Sequence, residues 1–475
     1  MRVSEERATT FTLEQHSNTI LTHCSTLRLS NSHPTIKMGS RLSILNPEPT
    51  VLPGPRLLHD LVANAGDDTA IDYLSSEDTH DRLSYRQLHD RSNALAHRLR
   101  AIWEGQAASK DSRFIVPLLC QQSPDLYIAE LAVLKAGGAF CPVSVDCPEE
   151  RIRFMCQDVE AKMLVTTKQL QHTLPALDGV TLLVLDGETP EYNVTTPSLA
   201  IDPSQPAYVM YTSGSTGLPK GVILSHSAAT QALLAHDRHI PAFSRFLQFA
   251  SPTFDVSVFE IFFPFYRHGT LVCGDRRKLL TDLPGFINQM RVDAAELTPS
   301  VASNLLRSRQ NVPNLRLLLT IGEMLKRDVV EEFGGSAEQD SILYGMYGPT
   351  EATIHCTLQT SFSKDMSVQN IGVPLDTVSA FVVQPRSEGE STVETPAILP
   401  YGEEGELAVG GHQLADYYLN RPEQTKAAFF EHPEYGQLYR TGDRAKMTDS
   451  GALECLGRLS GGQVKLRGQV RDLGP

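Results

Sequence analysis

Tyr211-Thr212-Ser213-Gly214-Ser215-Thr216-Gly217-Leu218-Pro219-Lys220-Gly221 follows directly on the apolar run Ala207–Met210. Glycines in such a loop let the backbone approach a ligand closely, and hydroxyls and amides supply donors to phosphate oxygens. Lys220 adds a positive charge. The pattern is not a Walker A loop, because G-x4-G-K-[ST] cannot be placed on it. A surface loop of small residues is the alternative reading. It leaves unexplained why four hydroxyls, three glycines and a lysine follow an apolar strand at once.

Outward from this loop the chain alternates helix and strand. Ser123-Pro124-Asp125 reads as an N-cap with proline at the first helical position, and Gly137-Gly138 stops the apolar helix that follows. Cys147-Pro148-Glu149-Glu150 opens another helix, with two carboxylates in its first turn near the positive dipole end. Met163–Thr166, Val180–Leu185, Ala207–Tyr211 and Leu315–Ile321 read as buried parallel strands. Strands separated by helices predict α/β layers. From about Tyr401 the pattern turns to short strands with glycine-rich turns, such as Gly405-Glu406-Leu407-Ala408-Val409, which predicts a smaller β-rich unit. Residues 1–50 show neither strand nor helix periodicity and are expected to form a mobile leader.

The whole chain has 475 residues, with 42 basic and 56 acidic side chains and a net charge of −14. That balance argues against nucleic acid as a partner, since phosphate binding needs a basic face. The eight cysteines (24, 120, 141, 147, 156, 273, 356 and 455) form no CxxC pair and have no histidine cluster beside them. Scattered thiols suit a reducing compartment, so a cytoplasmic protein without a membrane segment is expected. The most apolar stretch, Val256–Tyr266, is interrupted by Glu260 and Pro264 and is too short to span a bilayer.

YTSGSTGLPKG resembles the phosphate loop of the adenylate-forming (AMP-dependent synthetase and ligase) superfamily, and further motifs recur in order. Leu83-Ser84-Tyr85-Arg86-Gln87-Leu88, Leu134–Val143, Phe254-Asp255-Val256-Ser257, Tyr347-Gly348-Pro349-Thr350-Glu351, Gly405-Glu406-Leu407, Tyr439-Arg440-Thr441-Gly442-Asp443 and Gln463–Gly468 resemble those of nonribosomal peptide synthetase adenylation domains. The resemblance covers roughly residues 55–475. It implies an α/β fold: a large N-terminal core of two α/β subdomains with mainly parallel sheets over residues 51–400, plus a small β-barrel-like subdomain over 401–457. Residues 458–475 would be a hinge segment, with the family's C-terminal lid domain and its lysine expected beyond Pro475 and missing here.

The resemblance also implies roles. Thr212, Ser213, Ser215, Thr216 and Lys220 would hold the β- and γ-phosphates of ATP, with Gly214 and Gly217 admitting them. Tyr347 would stack on adenine beside Gly348, Thr350 would touch the α-phosphate, and Glu351 would ligate Mg²⁺. Asp443 would accept both ribose hydroxyls with help from Arg458. Gly345 stands where the family usually has an asparagine that recognises adenine, so that contact would come from backbone or be weaker. Lys465 resembles a group used in the thioester half-reaction, in which phosphopantetheine on a partner carrier domain takes the acyl group.

Asp255 would pair with the α-ammonium of an amino acid, and Val256, Phe259, Glu296, Leu319, Ile321, Met346, Ile354 and His355 would line the rest of the pocket. The acidic Glu296 hints at a substrate side chain carrying an amine or hydroxamate donor, such as ornithine or a derivative. The implied function is activation of an amino acid carboxylate as aminoacyl-AMP for peptide (secondary metabolite or siderophore) synthesis, with carrier and condensation domains in the parent synthetase. The alternatives are a fragment that binds ATP and amino acid without turnover, and an acyl-CoA ligase, which fits Asp255 less well.

Overall fold

The computed structural model describes residues 41–62, 66–106, 113–186, 194–212, 219–386 and 395–459, and the backbone of the strands Gln463–Leu466 and Gln469–Asp472. Of the loop read first, Ser213, Gly214, Ser215, Thr216 and Gly217 lie outside the described residues, as does the side chain of Lys465.

Two large sheets carry the site. The smaller runs in the order Tyr417–Tyr418, Lys220–Ser225, Pro206–Thr212, Ala139–Pro142, Ile115–Leu119, Met163–Thr167, Thr181–Leu185. Its last five strands are parallel, as their apolar runs predict. Pro206–Thr212 departs from the expectation on its other side, where Lys220–Ser225 pairs with it antiparallel. The strand is thus one arm of a hairpin with Lys220–Ser225, and the register sets Thr212 opposite Lys220. A parallel strand after a helix and a hairpin return look alike over six apolar residues, because both bury the same side chains.

In the larger sheet the strands Thr69–Leu74, Thr270–Gly274, Arg245–Leu247, Ala294–Leu297, Leu317–Thr320 and Leu343–Tyr347 are parallel. From Thr357–Gln359 onward the sheet continues antiparallel through Asn370–Pro374, Leu453–Arg458, Gly436–Met447, Gly405–Gly411 and Val378–Val383. The β-rich part therefore begins well before residue 401. It also takes in Ile44–Leu45, which pairs with Phe381 and Ala380. That segment falls inside the stretch expected to be leader. Two residues are too short a run to show period 2, which is why the pairing leaves no trace in the pattern.

The helix Val256–Tyr266 lies in the largest apolar cluster, with Val258, Phe259, Ile261, Phe262, Phe263 and Phe265 all buried. A helix apolar on every side belongs in an interior. Its one acid, Glu260, is fully buried. It survives there because Oε2 accepts from the amides of Phe249 and Ala250 at 2.9 and 2.8 Å and from Gln248 Nε2 at 3.0 Å. Those donors lie at the end of the strand Arg245–Leu247, so the carboxyl ties helix to sheet.

A second buried acid has no such support. Glu130, in the helix Pro124–Lys135, has an unpartnered Oε2, and burial pushes its carboxyl up from 4.5 to about 8. The folded carboxyl holds a proton that the unfolded one has released, so stability falls as pH rises from 4.5 to about 8. Glu130→Gln removes that slope. The urea midpoint of the variant should gain on the parent between about pH 5 and about pH 8.5. A difference that does not change with pH would show that Glu130 folds already ionised.

Candidate functional site

The hairpin places Lys220 against a tyrosine from the same sheet. The short strand Tyr417–Tyr418 pairs with Lys220–Ser225, and Lys220 Nζ stands 4.1 Å from the centre of the Tyr418 ring. Burial lowers the lysine's affinity for its proton, while the Glu351 carboxylate acts the other way. Tyr418 then donates its hydroxyl to Glu351 Oε1 at 2.6 Å. A cation, an aromatic face and a buried carboxylate thus form one line. Thr212 Oγ1, opposite Lys220, is buried without a hydrogen-bond partner.

A second group lies where the antiparallel strands meet Leu343–Tyr347. Tyr347 donates its hydroxyl to Asp443 Oδ2 at 2.6 Å. Arg458, directly across the ladder from Asp443, approaches Oδ1 at 3.4 Å and donates to the Thr441 carbonyl at 2.7 Å. Gly345 lies on the same strand, and a Cβ there would stand 2.5 Å from the ring of Phe362, itself fully buried. The aromatic ring fills the space that a side chain at 345 would need.

Between these groups runs the segment Gly348–His355. Thr350–Ala352 forms a single 3-10 turn, and Thr353 and Ile354 follow at φ 55° and 70°. Two consecutive left-handed non-glycine residues, both β-branched, are strained. Gly348 is required opposite them, since a Cβ would stand 2.2 Å from the Ile354 carbonyl oxygen. Gln413 fixes the turn: its buried amide donates to the carbonyls of Ala352, Thr353 and His355 at 3.3, 3.4 and 2.7 Å. It accepts from Thr377 Oγ1 at 2.5 Å, and its own carbonyl accepts from Thr353 Oγ1. The Ala415 amide adds a bond of 2.8 Å to the Glu351 carbonyl.

Asp255 immediately precedes the helix Val256–Tyr266 and is 8% exposed, with Oδ2 lacking any partner. Burial pushes its carboxyl above the usual range, and His355 and Thr350 act in the opposite sense. Strand alternation sets Leu319, Ile321 and Met346 in the same apolar cluster as Phe259 and Ile354, and Val256 packs against it. Glu296 sits beside Leu319 in register, and its Oε1 lies 2.7 Å from His355 Nε2. Phe259 stands edge-on to the His355 ring at 5.0 Å. Glu296 thus adjoins Leu319 and His355, His355 adjoins Phe259, and Asp255 is near enough to His355 for their charges to interact, while Ile321, Met346 and Ile354 belong to the large apolar cluster and Val256 packs against it.

Three participants carry little sequence signal. His236 is one of two buried histidines in the helix His226–Asp237, where it reads as an ordinary buried side chain. Gln413 and Tyr418 follow the Gly405–Gly411 strand and act through contacts about 60 residues away in sequence. A metal could use Glu351, whose single carboxylate suits a Mg²⁺ that keeps phosphate and water oxygens for its other positions. Among the described residues no group of three or more His, Cys, Asp or Glu could hold a metal, and no helix is long and apolar enough to cross a membrane.

The AMP-binding enzyme family matches residues 58–419. Nonribosomal peptide synthetase 2 of Gibberella zeae is 54% identical over 441 residues, which cover 91% of this chain and 9% of that protein. Nonribosomal peptide synthetase SIDC of Beauveria bassiana is 55% identical over 438 residues, covering 92% and 9%. The chain thus spans about a tenth of the length of the curated relatives it matches. Among solved structures, the nonribosomal peptide synthetase FmoA3 in its alpha-methyl-L-serine-AMP bound form superposes with a TM-score of 0.74 at 24% identity, over 88% of this chain and 46% of that one. That likeness concerns the fold. IdnL7 superposes with a TM-score of 0.68 at 28% identity, over 85% and 82%.

The clamp on the strained turn makes a direct prediction. Gln413→Leu leaves three carbonyls and the Thr377 hydroxyl without their partner and should cost roughly 2–4 kcal/mol. Urea unfolding measures this, and a loss below about 0.5 kcal/mol would show that the turn holds without Gln413.

Proposed function

We propose that this chain, which belongs to the AMP-binding enzymes, is the adenylation unit of a nonribosomal peptide synthetase and activates an α-amino acid at the expense of ATP. The observation that carries this reading is Asp255. A carboxylate 8% exposed, with one oxygen unpartnered, sits next to Thr350 and among Phe259, His355 and Ile354. Burying such a group without a counterion is costly, and the α-ammonium of an amino acid supplies one. A plain fatty acid would leave it unpaired.

The reaction is a displacement at phosphorus. A carboxylate oxygen of the amino acid bonds to the α-phosphorus of ATP, the bond from that phosphorus to the bridging oxygen breaks, and pyrophosphate leaves with the electron pair. Little covalent work falls to the protein, so position and charge decide the rate. Asp255 orients the amino acid with its carboxylate toward Thr350 and Glu351. Lys220, held over Tyr418, meets the phosphates together with Thr212, Ser213, Ser215 and Thr216, where Gly214 and Gly217 leave room. Tyr347, Asp443 and Arg458 hold the adenosine, already linked to one another through the carboxylate. Glu351, with Oε1 fixed by the Tyr418 hydroxyl, would hold Mg²⁺, whose charge would neutralise that on the phosphates. Lys465 serves the later transfer to a carrier's phosphopantetheine thiol. High identity to two fungal peptide synthetases supports carrier and condensation domains as partners in a longer protein.

Amino-acid-dependent ATP–pyrophosphate exchange tests the assignment with two variants. Asp255→Ala should lower kcat/KM for the amino acid about 10²-fold or more while moving the KM for ATP less than about twofold. Asp443→Ala should do the reverse, raising the KM for ATP first. If Asp255→Ala leaves amino acid use untouched and the chain adenylates carboxylic acids without an amine, the acyl-CoA ligase reading replaces this one.

A further inference from the structure

Glu296, His355 and His236 form a hydrogen-bonded line in which each side chain is fully or almost fully buried. Glu296 Oε1 lies 2.7 Å from His355 Nε2, His355 Nδ1 lies 2.9 Å from His236 Nε2, and His236 Nδ1 lies 2.5 Å from the Ala232 carbonyl. The far end sets the protons. A carbonyl only accepts, so His236 carries its hydrogen on Nδ1 and offers a lone pair at Nε2. His355 must then donate from Nδ1. One proton is left between His355 Nε2 and Glu296 Oε1, and the line has no net charge.

Its location on that last bond follows from the surroundings. Burial depresses His355 to about 3 and raises Glu296 well above the carboxylate range. Glu260 is close enough for the two carboxyls to oppose each other's ionisation, and its Oε1 is also unpartnered. Glu296 is therefore a neutral acid that donates from Oε1. Its Oε2, buried and without a partner, is a carbonyl-type acceptor with no charge behind it.

We propose that His236 is a positioning residue for amino acid selection: by accepting from His355 it keeps Glu296 neutral, so that the pocket takes a side chain ending in a neutral hydrogen-bond donor and disfavours an ammonium. This rests on the amino acid reading given above. A hydroxyl, amide or hydroxamic acid N–OH satisfies Oε2, whereas an ammonium would lie buried against an uncharged acceptor. The acidic wall expected from the sequence is thereby narrowed, with the amine half of that expectation removed.

Calorimetric binding of non-hydrolysable aminoacyl sulfamoyl-adenosines tests the proposal in two length-matched pairs, glutaminyl against ornithinyl and seryl against 2,3-diaminopropionyl. The parent chain should prefer the neutral member of the pair that fits by about tenfold or more. His236→Phe keeps an aromatic ring against Phe259 and Phe263 but removes the acceptor, freeing His355 to turn its hydrogen toward an ionised Glu296. The preference should shrink or reverse while AMP affinity holds. Glu296→Gln is the second variant, a neutral isostere that should change the preference less than about threefold. Infrared difference spectra give a readout that needs no ligand: the parent should carry a protonated-carboxyl stretch additional to that of Glu130, and parent-minus-variant spectra should show it lost in both Glu296→Gln and His236→Phe. Absence of that band in the parent, a preference unchanged in His236→Phe, or a tenfold sharper preference in Glu296→Gln would each overturn the proposal. Failure of all four adenylates to bind while AMP still binds would instead overturn the amino acid reading, and the infrared result would stand apart from it.

Discussion

The site depends on the turn Thr350–His355, where the backbone is held in a conformation it would not choose. Thr353 and Ile354 both have positive φ, at a cost of about 1–3 kcal/mol each. That geometry reverses the chain at once, so that Glu351 faces Tyr418 and Lys220 while His355, four residues on, faces Glu296. In a regular helix or strand, side chains four residues apart share a face, so neither path would part Glu351 from His355 in this way. Gln413 offsets the strain by satisfying three carbonyls that the turn leaves without helical partners. The same side chain hydrogen-bonds Thr377, which ties the turn to the antiparallel part of the larger sheet.

Low dielectric decides the chemistry around this turn, and the buried acids show three answers to it. Glu260 is surrounded by backbone donors and joins a helix to a strand. Glu296 shares a proton with a histidine line that ends on a carbonyl. Asp255 keeps an oxygen free beside Thr350, one residue from Glu351. A carboxylate left open there has the form of a receptor for a cation. Those left beside histidine or amides have the form of structural or hydrogen-bonding groups.

Much of this was legible in local sequence. The run Val256–Tyr266 coincides with one helix, and helices begin at Pro124 and Glu149 where the sequence opens them, although the Ser123 hydroxyl turns to the Gln121 carbonyl and makes no capping bond. These signals act within a few residues, where propensity and periodicity operate. That Glu296 and His355 belong together came from resemblance alone, since they are separated by 59 positions and no periodicity joins them. What stayed hidden is long-range or ambiguous. The hairpin return of Lys220–Ser225, the pairing of Ile44–Leu45 and the clamp by Gln413 each depend on which segment lies alongside. His236 is indistinguishable from a core histidine until its Nε2 is seen to meet His355.

The segment from Gly411 to Tyr418 explains how two sheets serve one reaction. It leaves the antiparallel ladder at Gly411, places Gln413 under the strained turn, binds the Glu351 carbonyl through Ala415, and ends as an edge strand beside Lys220–Ser225. Within eight residues it contacts the turn, the carboxylate and the lysine. A displacement of the hairpin edge is therefore felt at Glu351 through Tyr418, and at the pocket through Gln413 and the His355 carbonyl. Side chains packed this closely move together or not at all. The placement of Lys220 and the placement of His355 are for that reason one structural property, carried by the stretch Gly411–Tyr418.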